Sequence, residues 1–152
     1  MSVNLEDLKI GQSAEFAKTV SSEDVIRFAE ITGDFNPVHL DEAAAARSLF
    51  GERVAHGMLT AGLISATIAG RLPGPGSVYL GQTLRFTAPV RIGDTVTTRV
   101  EVTELNLPKR RVKLSTVCRN QKGEVVVDGE ATVLLPQLID AAAQEAAAVE
   151  AR

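Results

Sequence analysis

The stretch VAHGMLTAGLISATIAG, residues 54–70, decides the fold because it contains no Asp, Glu, Lys or Arg. A helix that is apolar on every face belongs either inside a protein or inside a membrane. Three glycines, two threonines, a serine and His56 dilute this stretch, whereas a membrane span needs roughly 20 mostly apolar residues. The stretch therefore predicts a helix buried at the centre of a globular domain.

The sequence after residue 77 changes to a period of two. Valines and leucines alternate with polar or charged residues in VTTRVEVTEL (96–105), RVKLSTVCR (111–119) and EVVVDGEATVLL (124–135). In SVYLGQTLRFT (77–87) the apolar residues that are expected to share one face are Val78, Leu80, Leu84 and Phe86. Alternation is typical of antiparallel strands that have one buried and one solvated face. A sheet that curls around the apolar helix would bury both, which predicts an α+β fold.

The N-terminal third of the chain predicts a strand over residues 12–20 and a helix that starts at Ser21 or Ser22 and ends at Gly33. A second helix is expected to begin at Asn36-Pro37 and to continue to Gly51. We assign residues 1–136 to a single domain and residues 137–152 to an alanine-rich tail with no catalytic part.

The composition excludes several classes of protein. Hydrophobic residues make up 45% and charged residues 23% of the chain, which is typical of a soluble globular domain. The net charge of −3 gives no basic surface for nucleic acid. The first residues carry no apolar signal segment, and the single cysteine, Cys118, fits a reduced compartment, so we expect a cytoplasmic protein without a membrane partner. Dinucleotide, P-loop and HExxH motifs are missing from the sequence, so we expect neither a cofactor nor a metal.

The stretch TGDFNPVHLDE, residues 32–42, holds the strongest candidates for chemistry. Asp34 precedes His39 by five residues, and a turn-forming segment joins them. With Asn36 as the N-cap, His39 would lie in the first turn of a helix, where the helix dipole disfavours imidazolium. A carboxylate and a neutral imidazole placed so close could activate one water molecule without a metal. The alternative is that these residues only form a turn and a helix cap.

A second candidate feature is AHGML, residues 55–59, at the start of the apolar helix. Gly57 would leave its backbone N–H unshielded and able to stabilise an anionic oxygen. Alternatively, the glycine only lets the chain enter the core. A lone histidine such as His56 is more often structural than catalytic. Ser65 either bonds its own helix backbone or supports the polar pair.

Three stretches together closely resemble the MaoC-like (R)-specific enoyl-CoA hydratases over roughly residues 8–135. They are FAEITGDFNPVHLDEAAA (28–45), VAHGML (54–59) and YLGQTLRFTAPVRIGD (79–94). The resemblance implies a hot-dog fold, in which an antiparallel sheet wraps around a long central helix, and a homodimer. Arg53 stands where a proline is frequent in the family, which we expect to alter the stiffness of the loop and to leave the chemistry unchanged.

The resemblance also implies roles for individual residues. Asp34 and His39 would be the acid/base pair that holds the water, and the Gly57 N–H would polarise the thioester carbonyl. Asn36 and Ser65 would support them. The implied enzyme is a hydro-lyase that converts trans-2-enoyl-CoA to (R)-3-hydroxyacyl-CoA, with coenzyme A carried by the substrate.

Two other functions stay open on the sequence alone. A hot-dog thioesterase would attack the thioester carbonyl itself and would not need the Asp-x-Asn-Pro-x-His loop. A non-catalytic acyl-CoA-binding subunit would usually have lost the acid/base pair. The sequence does not indicate the acyl length, the carrier (coenzyme A or an acyl carrier protein), the direction of the reaction in the cell, or which residue moves which proton.

Overall fold

The computed structural model of the chain describes residues 4–136 and residue 149. Its elements in chain order are a short 3-10 helix (Leu5–Asp7), β1 (Ser13–Thr19), α1 (Ser22–Thr32), α2 (Pro37–Leu40), α3 (Glu42–Ala46), α4 (Gly57–Gly70), β2 (Val78–Gln82), β3 (Arg85–Phe86), β4 (Thr95–Asn106), β5 (Arg111–Arg119) and β6 (Val125–Leu134). Apart from residue 149, the tail over residues 137–152 lies outside the described residues, so the domain boundary at 136 stays a prediction.

The strands form one six-stranded antiparallel sheet. The strand order is β1-β4-β5-β6-β2, and β3 pairs with β6 beside β2. The buried side chains of the central strands are those that alternation predicts: Val96, Val100, Val102, Val112, Leu114, Thr116 and Cys118. All of them except Thr116 form one hydrophobic core with the apolar residues of α4. The expected α+β architecture is therefore confirmed.

Helix α4 is buried along one face only. The residues that it buries are Leu59, Thr60, Leu63, Ile64, Thr67 and Ile68. Its opposite face is exposed and carries small side chains, among them Gly62, Ser65, Ala66 and Ala69. The sheet thus covers the predicted central helix on one side, and its other side is exposed in the single chain. No helix in the described part of the chain is long and apolar enough to cross a bilayer.

Strand β2 departs from the predicted pattern. Val78, Tyr79 and Leu80 are 43%, 37% and 45% exposed, and the register with β6 shifts between Tyr79 and Gly81. Phe86 of β3 is also exposed. The predicted common buried face is wrong for Val78, Leu80 and Phe86, because among residues 4–136 strand β2 pairs with β6 alone and lies at the edge of the sheet. Leu84 is partly buried and packs against the core.

The helices around residues 32–51 follow the predicted caps but not the predicted length. Ser21 caps α1 in a capping box with Asp24, and Gly33 ends it in the left-handed region with φ 80°. The single helix expected from Pro37 to Gly51 is divided in two. Asp41 is extended (φ −113°, ψ 113°) and its carboxylate accepts a hydrogen bond from the Ala44 N–H at 2.8 Å. A side chain that bonds the backbone in this way competes with helix continuation.

Candidate active site

The loop after α1 is a chain of side-chain to backbone hydrogen bonds. The Asp34 N–H donates to Thr32 Oγ1 (3.3 Å), and Asp34 Oδ1 accepts from the Asn36 N–H (3.2 Å). Asn36 Oδ1 in turn accepts from the Val38 N–H (3.3 Å) and caps α2. Asp34 and Asn36 are exposed. Asn36 thus has the capping position expected from the sequence, and the turn fixes the direction of the Asp34 carboxylate.

His39 is half-buried, and one hydrogen bond defines its tautomer. Its Nδ1 lies 2.7 Å from the Val54 carbonyl oxygen. A carbonyl can only accept, so Nδ1 carries the hydrogen and the neutral ring keeps its lone pair on Nε2. The backbone of His39 is fixed as well, because Arg53 Nε donates to its carbonyl oxygen at 2.7 Å. Nε2 is therefore available to accept a proton.

The pKa of His39 lies below its usual value of 6.5, chiefly because burial disfavours the charged ring. The hydrogen bond to Val54 raises the pKa, His56 lowers it and Asp34 raises it, each by less than burial does. The sequence predicted a neutral His39 because of the helix dipole. Helix α2 has only four residues, so His39 lies in its last turn as well as in its first. The helix dipole therefore does not explain the lowered pKa of His39, whereas burial does.

The site residues surround a cavity of about 430 Å³. Asp34, His39 and Gly57 all line it, and its apolar walls include Phe50, Met58, Phe86, Val126 and Val127. One carboxylate oxygen of Asp34 and one ring nitrogen each of His39 and His56 lie within 4.8 Å of one another. The structure thus brings three of the five expected residues to one cavity, and Asn36 lies in the loop that carries Asp34. Their roles in catalysis stay predictions.

Ser65 is not among the residues that line this cavity. It lies on the exposed face of α4. Within residues 4–136 its hydroxyl makes no hydrogen bond, so neither the backbone bond nor the contact with the polar pair that the sequence suggested is present in the single chain.

Asp34, His39 and His56 do not form a suitable metal site, although three potential ligands lie close together. The two imidazole rings are stacked, with centroids 3.8 Å apart and an interplanar angle of 30°. Nitrogen lone pairs lie in the ring planes, so those of stacked rings run nearly side by side and do not converge on one ion. His39 Nδ1 and His56 Nε2 are also already bonded to carbonyl oxygens.

Gly57 is the first residue of α4, so its N–H is one of the four that a helix leaves without an intrahelical acceptor. A Cβ at this position would lie 2.6 Å from Cε1 of Phe86. Only glycine therefore allows the Phe86 ring to pack against the start of the helix. Sequence reasoning missed Phe86, because the alternation in 77–87 placed it on a buried face, whereas it is 55% exposed and forms a cavity wall.

The antiparallel sheet curved around α4 is a hot-dog fold, and its cavity opens at the N-terminus of that helix. The chain belongs to the MaoC-like family: the model of the MaoC like domain matches residues 6–126.

Named relatives resemble the chain over most of their length. It is 57% identical to a 3-hydroxybutyryl-CoA dehydratase of Methylorubrum extorquens over 132 residues, 87% of this chain and 83% of the relative. It is 53% identical to an (R)-specific enoyl-CoA hydratase of Rhodospirillum rubrum, over 86% of this chain and 90% of the relative. Among solved structures, the unliganded R-hydratase PhaJ1 from Pseudomonas aeruginosa superposes with a TM-score of 0.85 at 51% identity, covering 90% of this chain and 88% of the other.

The environment of His39 predicts how its ring titrates. Because burial lowers the pKa, we expect the ring signals to show a midpoint below pH 6.5 in an NMR titration. The chain has only two histidines, so His39→Gln identifies the signal by its loss. A midpoint at or above 6.5 would contradict the described environment.

Proposed function

We propose that the chain catalyses the (R)-specific hydration of trans-2-enoyl-CoA to (R)-3-hydroxyacyl-CoA and the reverse dehydration. The observation that carries this proposal is the convergence of three groups on one apolar-walled cavity. These groups are the Asp34 carboxylate, the His39 ring with Nε2 unprotonated, and the free N–H at the start of α4. Family membership and two relatives with hydratase or dehydratase names support the same reaction.

The proposed reaction adds one water across the double bond that is conjugated to the thioester. The Asp34/His39 pair removes a proton from water, and the oxygen bonds to the β-carbon. The π electrons of the double bond form a new double bond between the α-carbon and the thioester carbonyl carbon. The carbonyl π electrons move to the carbonyl oxygen, where the Gly57 N–H stabilises the enolate. The Asp34/His39 pair then returns the proton to the α-carbon, so that one H₂O is added in total. Because the two groups titrate together, we assign neither proton to one residue alone.

The cavity walls suit a thioester with an apolar tail. Most of the wall side chains are hydrophobic, and the larger ones among them are Phe50, Met58, Phe86, Val126 and Val127. In an environment with little water the interaction of the Gly57 N–H with a developing oxyanion is stronger than in bulk solvent. We propose that the acyl chain lies among these side chains and that coenzyme A remains outside, at the open mouth.

We further propose that the reaction needs no cofactor and no metal, because water is the only co-reactant that the mechanism uses. Turnover that survives exhaustive dialysis against EDTA supports this part of the proposal, and loss that Zn²⁺ or Mg²⁺ restores overturns it. The cytoplasmic location expected from the single cysteine stays a prediction.

Substitution of the acid/base pair tests the reaction. Asp34→Asn and His39→Gln are each expected to lower the rate of crotonyl-CoA hydration by about 10²–10⁴-fold, because each removes an acid–base group. The measurement is the loss of enoyl-thioester absorbance, with circular dichroism to verify the fold.

Asp41→Asn is the matched control for this experiment, since Asp41 caps α3 and does not line the cavity and Asn caps helices about as well as Asp. It should retain the wild-type rate. Wild-type rates in the Asp34 or His39 variant would refute the assignment of the pair. Release of free thiol from crotonyl-CoA by the unmodified chain would indicate a thioesterase instead.

The contact between Gly57 and Phe86 predicts a coupled pair of substitutions. The methyl group of Gly57→Ala would overlap the Phe86 ring. We therefore expect kcat to fall, because the start of α4 has to shift away from Phe86. Adding Phe86→Leu should recover part of this loss beyond what the two single variants predict if they act independently. Gly70→Ala, at the other end of α4 with no atom within 4 Å, is the control. Strictly additive effects would exclude the contact as the cause.

We propose that the active form is a homodimer joined through β2. This strand lies at the edge of the sheet, and Val78, Tyr79 and Leu80 are exposed on it. Uncovered apolar edge strands tend to pair with another chain, and two-fold symmetry closes such an interface after two copies.

Light scattering coupled to size exclusion tests this arrangement. The wild-type chain should have the mass of two chains, and Leu80→Lys should shift it toward one. Leu107→Lys is the control, because Leu107 is also exposed but lies in the turn between β4 and β5. A wild-type mass of one chain, or a dimer that Leu80→Lys leaves intact, would contradict the β2 interface.

A further inference from the structure

His56 is a buried polar ring at the site for which the proposed mechanism has no use. It is 1% exposed and stands at the N-cap of α4, where its side chain makes no capping bond. Its Nε2 instead lies 3.0 Å from the backbone carbonyl oxygen of Asp34, 22 residues earlier in the chain. Because that oxygen can only accept, Nε2 carries the hydrogen and donates it.

The ring of His56 also contacts two other rings. The His39 ring is stacked on it, with centroids 3.8 Å apart at 30°. The Phe28 ring contacts it with centroids 4.7 Å apart at 49°. His56 is thus in direct contact with the backbone of one member of the acid/base pair and with the ring of the other.

The remaining nitrogen of His56 is Nδ1, which is buried and has no hydrogen-bond partner among residues 4–136. A buried N–H without an acceptor is more costly than an unpaired lone pair, whereas an N–H at Nε2 has the Asp34 carbonyl as its acceptor. One ring nitrogen of His39 and one carboxylate oxygen of Asp34 lie within 4.8 Å of a ring nitrogen of His56. His56 therefore fits a hydrogen-bond donor that holds its neighbours in place.

The start of α4 does not depend on the His56 side chain. The His56 carbonyl oxygen accepts from the Leu59 and Thr60 N–H groups at 3.0 and 3.4 Å, and the preceding Ala55 N–H donates to Val90 O at 2.7 Å. Changes to the imidazole should therefore leave the Gly57 N–H in place. This separates a role in fixing Asp34 and His39 from a role in shaping the helix.

We propose that His56 is a positioning residue of the hydratase site: its Nε2–H fixes the Asp34 carbonyl and its ring face fixes the orientation of His39. The inference rests on the proposed function and deepens it. From the sequence His56 was expected to be structural, because a lone histidine does not indicate which distant carbonyl its ring contacts.

Three substitutions separate the hydrogen bond from the packing. His56→Gln keeps a donor near the position of Nε2. His56→Asn has the same amide one carbon shorter, so that it does not reach Asp34. His56→Phe keeps the stacked ring and removes the donor. Phe28→Leu is the control, since it alters the packing of His56 against Phe28 and keeps the His56 donor and the contact with His39.

The readout is kcat and KM for crotonyl-CoA hydration. Misplacing a catalytic group by about 1 Å can cost up to about 10²-fold in rate, so we expect His56→Asn and His56→Phe to lower kcat by about 10–100-fold. KM should change little, because the contacts with the thioester remain. His56→Gln should restore at least about 5-fold of the lost kcat, and Phe28→Leu should stay near wild type.

Equal kcat values for the Gln and Asn variants would overturn the proposal, as would wild-type kcat in either the Phe or the Asn variant. A parallel loss of stability and activity in all three would reduce His56 to a structural residue and overturn it as well. If His56→Phe does not fold, the Gln/Asn comparison decides.

Asp34→Asn is assayed beside them: if it retains wild-type turnover, the proposed function fails, whereas a slow Asp34→Asn beside an unaffected His56→Asn refutes only the positioning role.

Discussion

The site depends on the short segment 54–57, which leads into α4 and is bonded to three separate parts of the chain. The Val54 carbonyl accepts from His39, and the Ala55 N–H donates to Val90 at 2.7 Å. The His56 ring donates to the Asp34 carbonyl, and Gly57 starts the helix. One stretch of extended backbone thus fixes the tautomer of the imidazole, the position of the carboxylate loop and the direction of a free N–H.

Burial of α4 fixes the position of segment 54–57. A helix without charged residues is stable in water only when an apolar surface covers it, and the sheet provides that surface for one face of α4. Since the helix cannot shift without exposing that face, its N-terminus is fixed relative to the sheet. The cavity forms where the helix start, the 32–39 loop and Phe86 meet. The proposed mechanism needs such rigidity, because preorganised donors supply its catalytic power.

The sequence was sufficient for features that depend on local periodicity and capping, and insufficient for those that depend on distant contacts. Alternation predicted the buried faces of β4 and β5, and Pro37 after Asn36 indicated the helix cap. The break at Asp41 was missed because an aspartate can lie either within a helix or at its cap, and the sequence does not show which of the two applies. The uncovered face of β2 was missed because period alone does not show which strand lies at an edge. The contact of His56 with the Asp34 backbone leaves no pattern in the sequence at all.

The central claim is that the Gly57 N–H and the Asp34/His39 pair act on one enoyl thioester from the positions that segment 54–57 gives them. The most direct measurement is a crystal structure of the Asp34→Asn variant with crotonyl-CoA bound. The account predicts the thioester oxygen within about 3.2 Å of the Gly57 nitrogen, and one water within hydrogen-bond reach of both His39 Nε2 and the side chain at position 34. A thioester oxygen directed away from Gly57, or a β-carbon with no water between it and His39, would contradict it.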